Sequence, residues 1–97
     1  MTVYVVVGNN GESYDFNVSW NDGVFMTEEA ANEYIKGQPE RLAKDEARLD
    51  ELEELRYDVR ELTNEEFAEL EQIEERLRNI WHISRVHYHI EKFEVQE

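Results

Sequence analysis

The chain has 97 residues, room for one small domain. It carries 24 Asp and Glu against 10 Lys and Arg, a net charge of −14. Such a field repels DNA, RNA and anionic membranes, so direct nucleic-acid binding and membrane binding are not expected. The absence of Cys excludes disulfides and thiolate metal sites. No apolar run approaches the ~18 residues of a membrane span, and Met1-Thr2-Val3-Tyr4 lacks the basic start of a signal peptide. A soluble, intracellular protein is therefore expected.

Val3 to Val7 is a short β-branched run, which predicts a central strand buried on both faces. Gly8-Asn9-Asn10-Gly11 predicts a tight hairpin turn. Tyr14, Phe16, Val18 and Trp20 then alternate with polar residues, which predicts a second strand closed by Asn21-Asp22-Gly23. Thr27 is a good N-cap for a short helix whose apolar face is Ala30, Ala31, Tyr34 and Ile35. Gly37 should end that helix, and Pro39 should begin the next.

Leu42, Leu49, Leu52, Leu55, Val59 and Leu62 recur at helical spacing, giving a long helix of ~33 Å. Thr63 to Glu66 reads as a capping box, with Leu62 and Phe67 at the staple positions. Phe67, Leu70, Ile73, Leu77, Ile80 and Trp81 continue the second helix, and Trp81 is assigned to the core. The two helices predict an antiparallel hairpin whose tip projects from the sheet. Val86, Tyr88 and Ile90 share one face of a last strand, opposite His87, His89 and Glu91. Phe93 and Val95 have the other parity, which predicts a bulge near Glu91-Lys92. The expected fold is α+β: a three-stranded antiparallel sheet of order 2-1-3, a short helix and an inserted helical hairpin. It forms a single domain, with the β-hairpin and short helix in residues 1–38, the helical hairpin in 39–82 and the last strand in 83–97.

No phosphate loop, nucleophile elbow or dinucleotide fingerprint is present, so an enzyme is not expected, nor a cofactor. His87, His89 and Glu91 share one face and could hold zinc. With no fourth ligand nearby, a plain polar face is the stronger reading, and His82 adds only a surface titratable group. Trp20 is either a core residue or a binding platform.

The acidic run is the informative feature. Glu61, Glu65, Glu66, Glu69, Glu71, Glu74 and Glu75 occur in residues 61–75 without one Lys or Arg. Their spacing, about one charge per 3 Å of helix, is close to the ~3.4 Å between phosphates of one DNA strand. Asp50, Glu54 and Asp58 add a stripe on the preceding helix. Like charges at i,i+4 oppose the helix, so local stability does not explain the pattern. Either these acids are a solvated surface or they are a binding surface for a basic partner.

The segments Val3-Tyr4-Val5-Val6-Val7, Gly23-Val24-Phe25-Met26-Thr27-Glu28-Glu29-Ala30 and Tyr88-His89-Ile90-Glu91-Lys92-Phe93-Glu94-Val95 resemble those of small bacteriophage-encoded proteins of uncharacterised function. The resemblance covers the two ends and leaves out residues 40 to 80. It implies a phage origin and a location in the cytoplasm of a bacterial host. Acidic phage inhibitors of restriction and CRISPR nucleases are similar in size and charge, some acting as DNA mimics. That class implies a basic nucleic-acid-binding surface of a host defence complex as partner. Its contacts would come from the ten hairpin acids, with Trp20 as a non-electrostatic anchor. The other reading is a non-enzymatic assembly module that dimerises through the apolar residues of its helical hairpin.

Overall fold

A computed structural model describes residues 1–96. Strand β1 (Thr2–Asn9) lies between β2 (Ser19–Phe25) and β3 (His87–Glu94), and both pairings are antiparallel. The expected order 2-1-3 and the α+β class are therefore present. Helix α1 spans Glu28–Glu54 and α2 spans Asn64–Leu77, joined through a π turn at Leu55–Val59. Asp45 bonds Arg76 and Arg48 bonds Glu69, so rising numbers in α1 meet falling numbers in α2. That makes the helices an antiparallel hairpin.

Each pair of facing residues in the ladder shares a face. Tyr4, Val6 and Gly8 lie with Phe25, Gly23 and Trp20 on one side and Lys92, Ile90 and Tyr88 on the other. The N-terminal half of α1 packs on this face through Ala31, Tyr34, Gln38 and Leu42. Among the described residues no helix covers the opposite face, where Val5 and Val7 sit beside Val24, Asn21, Glu91 and His89. β1 is central, as its sequence predicts, but only from Val6 onward is it buried. The expected burial on both faces holds only at this end, where Val6 and Val7 point to opposite faces and are both buried, while Val3, Tyr4 and Val5 are half-buried.

The first turn differs from expectation. β1 runs through Asn9, and residues 10–18 form a loop with a 3-10 turn at Tyr14–Phe16. Asn9 and Asn10 are buried and cap the loop from inside. The Asn10 Oδ1 atom accepts from the Glu12 and Val18 N–H groups, and its Nδ2 donates to the Phe16 and Asn79 carbonyls. These side-chain bonds replace the ladder that alternation alone suggested. Tyr14 and Phe16 stand in solvent, and Tyr14 has a φ of 51°. Gly11 has a φ of +73°, and a Cβ there would lie 2.0 Å from the Arg85 carbonyl oxygen.

Two other boundaries move. α1 continues through Gly37 and Pro39. Proline removes one N–H from the ladder, but the helix is anchored on both sides of that step. Tyr34 and Gln38 bond to Asp22, and Leu42 is buried. The bulge lies in the β1–β2 pairing between Val6 and Val7, whose partners are Gly23 and Asn21. Asp22 is thus the extra residue. The β1–β3 register runs unbroken from Thr2–Glu94 to Asn9–His87. Phe93 is on the uncovered face opposite Val3, so its parity needs no bulge.

A second core fills the hairpin. Leu52, Leu70 and Ile73 are buried, with Leu49, Leu62 and Leu77 packed around them. The capping box at Thr63 forms in both directions: Glu66 N–H to the Thr63 hydroxyl at 3.1 Å, and Thr63 N–H to the Glu66 carboxylate at 3.0 Å. At 1.5 Å per residue α1 is ~40 Å long, within a molecule measuring 53 × 31 × 21 Å. Trp81 is not in the core. It is 53% exposed and rests edge-on against Phe16, because α2 ends at Leu77 before the seam reaches it.

Candidate functional site

Three arginines sort the hairpin acids into two groups. Arg48 reaches across to Glu69 with two bonds of 2.6 and 3.1 Å. Arg60 forks onto Glu66 at 2.6 and 2.9 Å. Arg76 forks onto Asp45 with two bonds of 2.8 Å. Planar forks of this kind are the strong form of a surface ion pair. Arg60, reinforced by the Thr63 N–H, pulls the Glu66 carboxyl down to about 2. Arg48 holds that of Glu69 below the ordinary carboxylate range. Glu66 and Glu69 are thereby engaged inside the fold.

The others are not. Asp50, Glu54, Asp58, Glu61, Glu65, Glu71 and Glu74 are exposed and form no ion pair with a described residue. Glu75 has only a loose 3.6 Å contact with Arg78, both in solvent. The seven glutamates of residues 61–75 do not form one stripe. At 100° per residue the helix turns Glu66 toward the buried side with Leu70 and Ile73. It sets Glu65 and Glu69 on one flank and turns Glu71, Glu74 and Glu75 outward. A linear density like that of a DNA strand thus becomes a wrapped acidic surface. At the hairpin tip Tyr57, Val59 and Phe67 are exposed, with Tyr57 74% so. The Arg56 guanidinium lies 5.5 Å from the Tyr57 ring and 5.7 Å from Phe67. The π turn creates this tip, closing with an Arg60 N–H to Leu55 carbonyl bond of 2.9 Å.

Trp20 is not among these acids. It faces the junction of sheet and helices, where it lies flat enough on Gly8 that a Cβ there would come within 2.6 Å of the indole. The bulge turns Asp22 into the same junction. Its carboxylate accepts from Trp20 Nε1 at 3.0 Å, Tyr34 Oη at 2.7 Å and Gln38 Nε2 at 2.6 Å. Gln38 Nε2 also donates to Tyr88 Oη at 3.2 Å. Burial, then the bond to Asp22, raises the Tyr34 phenol to about 12, and burial raises that of Tyr88. Both phenols are neutral at pH 7. A cavity of about 620 Å³ opens beside this cluster, with Arg41, Lys44, Arg76 and Ile80 on its other walls.

His87 and His89 share the uncovered sheet face, as their parity requires, and His89 lies 3.3 Å from Glu91. His82 is elsewhere, its Nδ1 2.8 Å from Glu12 Oε1. Glu12 also accepts from Arg85 at 2.8 Å, and these contacts hold its carboxyl below the usual range, His82 contributing most. Among the described residues no three His, Asp or Glu side chains are grouped to hold a metal ion. No helix is long and apolar enough to cross a membrane.

Sequence reasoning gives no site role to Glu12, Asp22 or Gln38. Asp22 reads there as part of an Asn21-Asp22-Gly23 turn closing the second strand, whereas it is the bulge residue inside β2. Glu12 and Gln38 carry no signal. No family model, curated protein or solved structure matches the chain.

Proposed function

We propose that this protein is a phage-type acidic inhibitor that works by binding and not by catalysis. Its partner is a basic nucleic-acid-binding surface on a host defence nuclease, of the restriction or CRISPR kind. The observation that carries this reading is the division of the hairpin charges. Arg48, Arg60 and Arg76 are tied to Glu69, Glu66 and Asp45, while seven of the ten candidate acids form no ion pair with a described residue. Those acids lie along an arm that the arginine forks and leucine core keep rigid, so little ordering entropy is lost on docking. Complementary charge speeds encounter, while affinity usually resides in a few apolar anchors. Tyr57, Val59 and Phe67 supply such an anchor at the tip, the role expected of Trp20, which instead faces the cavity.

The test is capture of partners from a bacterial lysate on immobilised protein, with elution by salt and then by duplex DNA. A captured nuclease complex displaced by DNA is the expected result. The Glu65, Glu71 and Glu74→Lys variant should abolish capture, while Glu28 and Glu29→Lys should leave it intact. Capture that neither DNA nor the reversal weakens would exclude mimicry.

A second reading, association of two copies, has one observation in its favour: Val24 and Phe93 are exposed on the uncovered sheet face. The hairpin leucines do not serve it, because Leu52 and Leu70 are enclosed. Light scattering after size exclusion separates the readings, since a dimer that dissociates on Phe93→Ser would place the contact on the sheet.

A further inference from the structure

The cavity between the sheet and the two helices is unlike the rest of the surface. Three of the chain's ten Lys and Arg, namely Arg41, Lys44 and Arg76, border it. Its volume of about 620 Å³ falls within the range of about 300–1,000 Å³ typical of small-molecule sites. One wall is aromatic and one aliphatic: Trp20 on the sheet side, Leu42 and Ile80 on the helix side.

A count of donors and acceptors shows what such a site would bind. Its acceptors are largely committed. Asp22 already receives three hydrogen bonds, and Asp45 is filled by the Arg76 fork. Glu75 stands in water with Arg78 nearby. The donors are not used up. Arg41 uses Nε on Gln38 and Nη2 on the Tyr34 carbonyl, and its Nη1 bonds no described residue. Arg76 likewise keeps Nη1. Lys44 has only an exposed contact with Glu40 at 3.3 Å. Tyr88 receives a hydrogen bond from Gln38, and its own O–H proton bonds no described residue. The cavity therefore offers donors to a ligand and asks for acceptors. Trp20 is held rigid by its Nε1 bond to Asp22 and by its seat on Gly8, so it presents a fixed ring for stacking at small entropic cost.

We propose that this cavity is a binding site for a small planar anion, of the size and chemistry of a nucleoside monophosphate. The ring packs against Trp20 and Ile80, and the anionic group meets Arg41, Lys44 and the Tyr88 hydroxyl. The site lies at the base of the acidic arm and shares Glu75 with it, but it does not depend on the function proposed for that arm.

The test uses the full chain with Trp81→Phe as background, so that Trp20 is the only indole, and adenosine 5′-monophosphate as the probe. Saturable quenching of Trp20 is expected, with adenosine and inorganic phosphate each at least ~10-fold weaker. Lys44→Glu, an exposed change that leaves the Asp22 cluster alone, should raise Kd by ~10-fold. Arg41→Gln should do at least as much, with circular dichroism to verify that it folds. Absence of saturable quenching to millimolar probe would overturn the site, as would quenching that Lys44→Glu leaves unchanged. Adenosine binding as tightly as the monophosphate would remove the anion from the assignment.

Discussion

The sheet end and the hairpin end of this molecule use carboxylates in opposite ways. At the sheet end Glu12 and Asp22 are surrounded by donors, and each joins segments distant in sequence. Glu12 ties the 10–18 loop to His82 and Arg85, while Asp22 ties β2 to α1. Along the hairpin, Asp45, Glu66 and Glu69 do similar work, but most acids there form no ion pair with a described residue. Charge that holds the fold together is thus separable from charge that does not. Only the second kind is available to a partner, and net charge alone would not distinguish them.

The two ends also have separate hydrophobic cores, and the largest expected effect tests how independent they are. Leu52→Ala empties the centre of the hairpin core, where Leu52 meets Leu70 and Ile73. A loss of about 3–5 kcal/mol is expected, a large share of the ~5–15 kcal/mol typical of a domain. Hydrogen exchange should show the amides of 64–77 losing protection while those of β1 keep theirs. Simultaneous loss in both regions would mean a single cooperative unit and break the comparison.

The next effect belongs to the sheet end. Gly11→Ala imposes a Cβ at a φ of +73° and 2.0 Å from the Arg85 carbonyl oxygen. The left-handed conformation alone costs an L-residue about 1–2 kcal/mol, and the overlap forces the loop from Arg85. A total loss of about 2–3 kcal/mol in chemical denaturation is expected. The Glu12 contacts with His82 and Arg85 should break with it, visible as a shifted His82 imidazole resonance.

Much of this architecture was legible because local signals agreed. The capping box at Thr63, the N-cap at Thr27, the leucine seam and the strand order all follow from spacing and residue type. What failed to read depended on contacts between distant segments. Pro39 looks like a helix start until Gln38 and Tyr34 are seen bonded to Asp22. Tyr14 and Phe16 alternate like a strand until Asn10, buried beneath them, is seen holding the loop. The ten hairpin acids were visible as residues, but their division was not. Arg48 and Glu69 are 21 positions apart, and only the antiparallel packing brings them together.

Acid should dissolve the structural carboxylates first in effect. Glu12, Glu66 and Glu69 have folded-state pKa values below the ordinary 4.5. A depressed pKa gives stability that is complete above the unfolded value and is lost as pH falls through the folded one. For Glu66 that window runs from 4.5 down to about 2. Melting temperature should therefore fall across it, and the gap between the wild type and Glu66→Gln should close near its lower end. A gap that persists there would mean that Arg60 contributes through packing instead.

The smallest effects come from the acids without partners, and they should have the opposite sign. Glu54 has Asp50 one turn before it in α1, an i,i+4 pair of like charge. Glu71 is in mid-helix with Glu75 one turn on. Each change to Gln should stabilise by about 0.3–0.5 kcal/mol, and together they should raise the melting temperature by ~3–6 °C. Glu65→Gln should gain nothing, because Glu65 is in the first turn of α2, where the dipole favours an anion. High salt should erase the gain, since screening acts on exposed charges. A pair of substitutions that stabilises the fold while weakening capture of a basic partner would show these carboxylates kept at a cost to stability. Substitutions that stabilise it and leave capture unchanged would mark them as solvated surface.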